Sequence, residues 1–373
     1  MTRRETPKLG QLPVHRRSFL KSSALISMAP LVPGFVGNTC FANQGGAEQP
    51  ILVIIEMSGG NDGLNTVVPY RQNEYERFRK STRIDKNQVL KIDDNVGLNP
   101  AMVGFKELYD DGMLGIIHGV GYPNPNRSHF ESMAIWHSAQ LSGENLDGNG
   151  WLGRYLDASI PAERVDLDGW YVGAGTTPAA LVNRKSQVAA IERLQDLRFK
   201  SLNIAKQANQ LGPTNQSDIS NFVSRSMASS FASAQQLESI LENEKNDSRF
   251  PSTPLGNKLS IVSRLIRSGA ASRAYYTVQP GYDTHSGQLG QHARLLGDLS
   301  SSVKAFVDDL KLAGINKQVV IMAYSEFGRR VAENRSQGTD HGTAGPVFVV
   351  GNCLLYTSPS PRDQRGSRMP SSA

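Results

Sequence analysis

Acidic residues and histidines stand beside the apolar segments of this sequence in a pattern that suits a divalent metal ion. The segment Asp283–His285 follows one apolar run, Glu326 closes another, and Asp340–His341 directly precedes a third. Carboxylate oxygen and imidazole nitrogen bind zinc or manganese, whereas magnesium and calcium prefer oxygen ligands. Such ions polarise a phosphoryl or sulfuryl oxygen and lower the pKa of a bound water. The residue types therefore predict one or two divalent metal ions, with zinc, manganese, magnesium and calcium all compatible.

Two further pairs of residues extend the candidate site. Asn61 and Asp62 end the motif GGND after the first apolar run, and Ser128 and His129 begin a helical pattern. Ser128 and Glu131 spell a Ser-x-x-Glu capping box, which is a structural reason for the serine. His129 is either a metal ligand, an acid for the leaving group, or an ordinary histidine of the core or a loop.

Three arginines near these segments are candidates for binding an oxyanion. Arg127 precedes the helical pattern, and Arg329 and Arg330 follow Glu326 closely. A guanidinium group binds carboxylate or phosphate oxygens through two parallel hydrogen bonds. The alternative is that these arginines lie on a solvated face of the protein.

Each candidate ligand also has a structural alternative. Asp62 after Gly-Gly-Asn is typical of a turn, Asp283 is typical of a helix N-cap, and Glu326 suits a first helical turn. His285 could bond a carbonyl oxygen, and Asp340–His341 could be an ordinary loop. The occurrence of these residues at the ends of several apolar runs favours one shared site over separate structural roles.

The apolar runs themselves predict an α/β fold. Five of them read as buried strands, at residues 50–57, 113–121, 272–278, 318–325 and 345–351. Helical patterns of apolar residues separate some of these runs, at 255–266 and 289–306. This alternation predicts a doubly wound, mostly parallel sheet with helices on both faces, in which ligands bind at the carboxyl ends of the strands. Residues 176–250 are polar with helical patches, which indicates a helical insertion or cap.

The two ends of the chain are expected to lie outside this fold. Residues 1–42 contain Arg16-Arg17 before Ser-Phe-Leu-Lys, then a short apolar stretch ending near Ala42, which predicts a twin-arginine signal peptide and a periplasmic or secreted protein. The stretch is too short to span a membrane. Residues 353–373 resemble a translated sequencing adapter. We therefore expect a non-native tail and a domain, residues 43–352, whose natural chain continues further.

Composition narrows the range of functions. The whole chain has 40 basic and 34 acidic residues, but residues 43–352 hold 31 basic and 32 acidic ones, so the basic excess lies in the ends and does not indicate nucleic-acid binding. Both cysteines, Cys40 and Cys353, also lie in the ends. The central domain therefore has no disulfide framework, no thiolate metal site and no cysteine for modified-cysteine sulfatase chemistry.

Four blocks of the sequence resemble a known family. They are LVIIEMSGGNDGLNTVVPY, NRSHFESMAIWHSA, GYDTHSGQLGQHARLL, and YSEFGRR together with GTDHGTAGPVFVVG. Together they are similar to the domain of unknown function 1501 family, which is grouped with the alkaline phosphatase and sulfatase superfamily. The resemblance implies a doubly wound sheet that binds one or two metal ions.

Carried over position by position, the resemblance implies a set of five metal ligands. These ligands are Asp62, Asp283, His285, Glu326 and His341. Glu326 stands where relatives usually have Asp-His, so a nitrogen ligand is missing from a full two-zinc site. Asn61, Asp340, Arg127 and Arg329 are assigned as outer partners of the ligands or as groups that bind an oxyanion. Superfamily enzymes place their nucleophile at the start of the helix that begins near Ser128, so the resemblance implies Ser128 and His129 as catalytic residues, with the capping box as the alternative for Ser128.

Three functions follow as hypotheses. The first is an exported, metal-dependent hydrolase of phosphate or sulfate esters, acting on a small-molecule or glycan ester. The second is a non-catalytic metal-containing envelope protein that binds an acidic glycan or a protein partner. The third is a metal-independent serine esterase, which is disfavoured because GGND lies where that fold needs its serine nucleophile. No nucleic-acid partner and no stable membrane span are expected.

Overall fold

Apolar segments, several of them rich in Val and Ile, form the main strands of the described structure. The computed structural model describes residues 50–141, 148–159, 167–186, 188–193, 249–269 and 272–352. The strands are β1 (Ile51–Ser58), β2 (Val67–Val68), β3 (Leu90–Lys91), β4 (Gly97–Leu98), β5 (Leu114–Val120), β6 (Gly169–Val172), β7 (Val188–Ile191), β8 (Ala274–Pro280), β9 (Val319–Tyr324), β10 (Arg329–Glu333), β11 (Thr339–His341) and β12 (Gly345–Val350). The predicted signal peptide and C-terminal tail lie outside the described residues and stay predictions.

The helices within the described residues connect these strands. They are α1 (Gly63–Thr66), α2 (Asn73–Phe78), α3 (Val103–Asp110), α4 (His129–Ser138), α5 (Trp151–Ser159), α6 (Pro254–Arg267) and α7 (Gln288–Leu312). Helix α6 begins where its sequence predicts, because Thr253 accepts a hydrogen bond from the backbone amide of Gly256 and Pro254 occupies the first turn. None of the helices in this part of the chain combines the length and the apolar character that a membrane crossing requires.

Seven strands form the main sheet, in the order β5-β12-β9-β1-β8-β6-β7. Strands β9, β1, β8, β6 and β7 are parallel to one another, whereas β12 is antiparallel to both β9 and β5. The predicted fold class, a mostly parallel sheet with helices, is confirmed. Because β12 is antiparallel to β9, its first residue lies at the edge of the sheet where β1 and β9 end. The segment before β12, which contains His341, therefore lies at the same edge.

The two faces of the sheet are covered differently. Val53, Ile55 and Met57 of β1 are fully buried in the main apolar core, which also includes residues of α3, α6 and α7. On the opposite face, Glu56 of β1 is buried and contacts His137 of α4 at 2.9 Å. Helices therefore cover both faces, and α4 packs against the face that contains Glu56.

The structure places a strand within residues 176–250, where the sequence predicts a helical insertion or cap. Strand β7 lies inside this interval and pairs in parallel with β6 at the edge of the main sheet. This part of the interval therefore extends the sheet and is not a helical insertion. Residues 194–248 lie outside the described residues, so the helical cap stays a prediction for them.

Candidate metal centre

Three imidazole nitrogens and one carboxylate oxygen converge at the carboxyl edge of the sheet. The Nε2 atoms of His129 and His285 lie 3.1 and 2.9 Å from the Nε2 atom of His341. The Oδ1 atom of Asp283 lies 3.1 Å from His341 Nε2, 3.0 Å from His285 Nε2 and 3.5 Å from His129 Nε2. In a tetrahedral zinc site, bonds of about 2.0–2.1 Å place neighbouring ligand atoms about 3.3 Å apart. The ligand atoms of His129, Asp283 and His341 therefore have the spacing of a metal site, and His285 Nε2 lies beside two of them.

The elements of the fold deliver these side chains from distant parts of the sequence. His129 is the first residue of α4, Asp283 and His285 lie in the loop after β8, and His341 ends β11. The turn after β1 makes room for this loop, because a Cβ atom on Gly59 would lie 2.4 Å from the backbone nitrogen of Asp283. Gly59 also has a φ of +122°, a conformation that glycine adopts readily. The close approach of the two loops therefore depends on this glycine.

Each of the three histidines faces an oxygen acceptor with its Nδ1 atom. The pairs are His129 with Glu326 Oε1 at 2.7 Å, His285 with Asp340 Oδ1 at 3.4 Å, and His341 with the carbonyl oxygen of Arg127 at 2.8 Å. A carbonyl oxygen only accepts, so His341 donates from Nδ1 and its Nε2 carries a lone pair when the ring is neutral. Such outer partners orient metal-binding histidines in proteins. The donor set therefore fits one divalent ion bound by Nε2 atoms and a carboxylate.

The carboxylate of Asp283 is held in its ionised form by its neighbours. Its Oδ1 atom accepts a hydrogen bond from Arg329 Nη2 at 2.6 Å. Partial burial raises the pKa of Asp283, but the hydrogen bonds from Arg329 and His341 and the guanidinium charge outweigh it and lower the pKa to about 2. The side chains of Asp283 and His285 remain 47% and 43% exposed. The cluster therefore combines an ionised carboxylate with access from solvent.

Arg329 is a buried cation that bonds Asp283 and the loops around the cluster. Its side chain is fully buried and also donates to the carbonyl oxygens of Gly59, Gly60 and Thr339. All of these acceptors belong to the loops that frame the site. Its guanidinium is therefore already engaged by the protein.

The other two arginines lie on the surface. Arg127 and Arg330 are both exposed, and the group that Arg127 contributes to the cluster is its backbone carbonyl oxygen. Their predicted role in binding an oxyanion stays a prediction.

Asp62 lies in a different arrangement. Both of its oxygens pair with the guanidinium of Arg79, at 2.6 and 3.0 Å, and Gln288 Nε2 donates to one of them. Burial raises the pKa of Asp62, but the charge and hydrogen bonds of Arg79 outweigh it and the net pKa is lowered. Asn61 is next to this pair, and its Oδ1 accepts from Thr66 and faces His292. Asp62 and Asn61 therefore make these buried hydrogen bonds with residues other than the four whose atoms converge.

Glu326 is an outer neighbour of the cluster. Its Oε1 accepts a hydrogen bond from the Gly59 amide at 2.9 Å and faces His129 Nδ1, and its Oε2 accepts from Ser325 Oγ at 2.8 Å. The side chain is almost fully buried. Of the five predicted ligands, Asp283, His285 and His341 come together directly, and Glu326 contacts them through His129.

The start of α4 differs from a capping box. Ser128 is the N-cap residue, but its side chain makes no capping hydrogen bond. Glu131 instead accepts from the side chain of Asn126. The capping-box alternative is therefore wrong for this helix, and the predicted nucleophile has no capping role that would occupy it.

Sequence reasoning missed the polar contacts that dock α4 on the sheet. Trp136 Nε1 donates to the backbone oxygen of Glu326 at 2.8 Å, and its ring stacks on Tyr324 at 4.7 Å. His137 and the hydroxyl of Tyr276 both contact Glu56 Oε2. A carboxylate inside the apolar run of β1 was a usable signal, because a buried carboxylate requires partners. These contacts fix the helix that carries His129.

Replacing Glu326 by Gln is expected to weaken metal binding by 10- to 100-fold, the usual effect of losing an outer partner. An amide is a weaker acceptor for the Nδ1 proton of His129 than a carboxylate. Titration with zinc against a competing chelator measures the change. The matched control is Glu333→Gln, because Glu333 bonds Ser81 and Thr82 and has no contact with the cluster among the described residues. Equal zinc affinity in both variants would contradict the orienting role.

His292 is expected to make the stability of the protein fall in mild acid. Burial lowers its pKa from 6.5 to about 4, although the charge of Asp62 opposes this. Between these pH values the unfolded chain binds a proton that the folded chain does not, so stability decreases as the pH falls from 6.5 to 4. The loss amounts to roughly 3 kcal/mol. Urea unfolding at several pH values should show this loss in the parent and a smaller one in His292→Gln, whereas parallel curves would contradict it.

Comparisons with known proteins relate the chain to one family and to several solved structures. A family model described as a protein of unknown function, DUF1501, matches residues 50–352. None of the curated proteins matches the chain. Three solved structures resemble it at low identity. They are the zinc-bound C-terminal periplasmic domain of EcEptC from Escherichia coli (9% identity, TM-score 0.43, 85% of this chain and 78% of that chain), the lipoteichoic acid synthase LtaP from Listeria monocytogenes (9%, 0.32, 81% and 65%) and an alkaline phosphatase from the Antarctic bacterium TAB5 (15%, 0.28, 83% and 93%).

Proposed function

The chain belongs to the DUF1501 family of proteins of unknown function, and we propose that it is a metal-dependent hydrolase of phosphate or sulfate esters. The observation that supports this proposal most strongly is the convergence of three histidine Nε2 atoms on Asp283 Oδ1, within 2.9–3.5 Å in the measured pairs. The core ligands are His129, Asp283 and His341, whose ligand atoms all lie within 4.8 Å of one another. We propose export to the periplasm or cell exterior, with a small-molecule or glycan ester as substrate.

The residues of the site would have different roles in such a reaction. A bound divalent ion would polarise the phosphoryl or sulfuryl oxygen of the ester. Asp283 stays ionised, and Glu326 and the Arg127 carbonyl hold the rings of His129 and His341 in place. Ser128 is adjacent to His129, is half-buried and makes no capping bond, so its hydroxyl is the proposed nucleophile.

A single-turnover assay with an activated aryl phosphate and an activated aryl sulfate tests this proposal. The zinc- or manganese-loaded protein is expected to release the aryl alcohol, and Ser128→Ala is expected to lower the rate by at least about 100-fold, as for loss of a nucleophile. The control is Ser301→Ala, because Ser301 is an exposed serine on α7 that bonds only its own helix. Turnover by the parent and by Ser128→Ala at equal rates would remove Ser128 from the mechanism.

A non-catalytic metal-binding protein is the second candidate. It is favoured by the presence of a fourth protein atom, His285 Nε2, 2.9 Å from His341 Nε2. Zinc sites with four protein ligands are usually structural, whereas catalytic ones keep one position open. If metal-loaded protein turns over neither ester but still binds zinc, this candidate replaces the hydrolase.

A further inference from the structure

We propose that the site holds a single divalent ion per chain, because the guanidinium of Arg79 neutralises Asp62, one of the five ligands predicted for one or two ions. This inference rests on the proposed metal-dependent function and sets its stoichiometry. It also gives a function to Arg79, a residue that no sequence motif marks. The argument depends on the contacts of Asp62, Arg79 and Glu326.

Three of the about four lone pairs on the Asp62 carboxylate are already engaged. Its two oxygens accept from Arg79 Nη1 and Nη2 at 2.6 and 3.0 Å, and Gln288 Nε2 donates to the Oδ2 atom as well. The Asp62 and Arg79 side chains are both completely buried. A metal ion at Asp62 would have to displace a bidentate guanidinium that is inaccessible to solvent.

Arg79 cannot easily withdraw from this pair. Its Nε donates to the carbonyl oxygen of Val331 at 2.5 Å, and its Nη2 donates to that of Arg330 at 2.8 Å. Both acceptors lie in β10, so the guanidinium is held on one side by the carboxylate and on the other by the strand. A second ion would leave this cation buried without its counter-charge, which is unfavourable.

Glu326 cannot supply the missing ligand. Its Oε1 faces His129 and accepts from Gly59, and its Oε2 accepts from Ser325. Among the described residues, one group of three or more histidines and carboxylates has ligand atoms close enough to hold an ion, and it consists of His129, Asp283 and His341. The ligands brought together therefore suit one ion, while the other two predicted carboxylate ligands, Asp62 and Glu326, are bonded to other groups.

The test is a count of bound metal on the full chain. The protein is saturated with zinc alone, passed through a desalting column, and analysed by native mass spectrometry and elemental analysis. The expected count is one zinc per chain, both in the parent and in the double variant Asp62→Asn/Arg79→Gln, which removes both charges together. A circular-dichroism melt checks that the double variant is folded. If it is unfolded, the number of zinc ions bound by the parent protein alone tests the inference.

The outcomes separate this inference from the proposed function. Two zinc ions in the parent would overturn the single-ion inference and leave the metal-dependent function standing. Loss of the single zinc in the folded double variant would also overturn the inference, because Asp62 would then be a ligand. No zinc in the folded parent would overturn both statements.

Discussion

The variant Asp283→Asn is expected to lose tight zinc binding and, with it, any ester hydrolysis. Among the described residues, Asp283 is the carboxylate that lies within 3.5 Å of the Nε2 atoms of His129, His285 and His341. The amide that replaces it carries no charge and is a poor metal ligand. Because removal of a mere outer partner already costs 10- to 100-fold in affinity, removal of this ligand is expected to cost more than about 100-fold.

Competition with a chromogenic chelator measures this loss, and His341→Ala should reproduce it. The control is Asp308→Asn on α7, which changes the same chemical group at a lysine pair on the surface. Zinc affinity in Asp283→Asn equal to that of Asp308→Asn would refute the assignment of Asp283 as a ligand.

The second large effect is expected at Arg329. Replacing it by Leu removes a fully buried guanidinium that bonds Asp283 and the carbonyl oxygens of Gly59, Gly60 and Thr339. The carboxylate of Asp283 is half-exposed, so the loss of its ion-pair partner alone costs little. The larger cost comes from the buried carbonyl groups left without donors, at about 1–3 kcal/mol for each one that water does not reach. We therefore expect the free energy of unfolding to fall by about 3 kcal/mol.

Urea denaturation measures this change directly. Arg330→Ala is a sharp control, because Arg330 is the next residue and its side chain is exposed. A surface substitution of this kind usually changes the free energy of unfolding by less than about 0.5 kcal/mol. If both variants lose the same amount, Arg329 does not hold the loops of the site together.

The strands, and the edge of the sheet at which the site lies, were predictable from the sequence. The runs at 50–57 and 318–325 are apolar on both faces, which is the pattern of strands buried in a parallel sheet. Polar residues that follow such runs must come to the carboxyl edge, so Asp283 and His285 were placed correctly at one edge. The segment before β12 joined them because that strand is antiparallel.

The partners of the buried carboxylates were not predictable. Arg79 lies in a charged segment, YERFRKSTR, that reads as a solvated surface, yet it is completely buried against Asp62. Nothing in the spacing of Arg79 and Asp62 indicates this pair, because the loop between them determines it. In the same way, Glu326 reads as a ligand at a strand end, whereas the tertiary structure turns it toward His129, Gly59 and Ser325.

The most direct measurement of the central claim is an anomalous difference map at the zinc edge from crystals of the zinc-loaded protein. The account predicts one strong peak about 2.0–2.2 Å from Nε2 of His129, Nε2 of His341 and an oxygen of Asp283. A map without a peak at these three atoms, or with its strongest peak at Asp62, would contradict it.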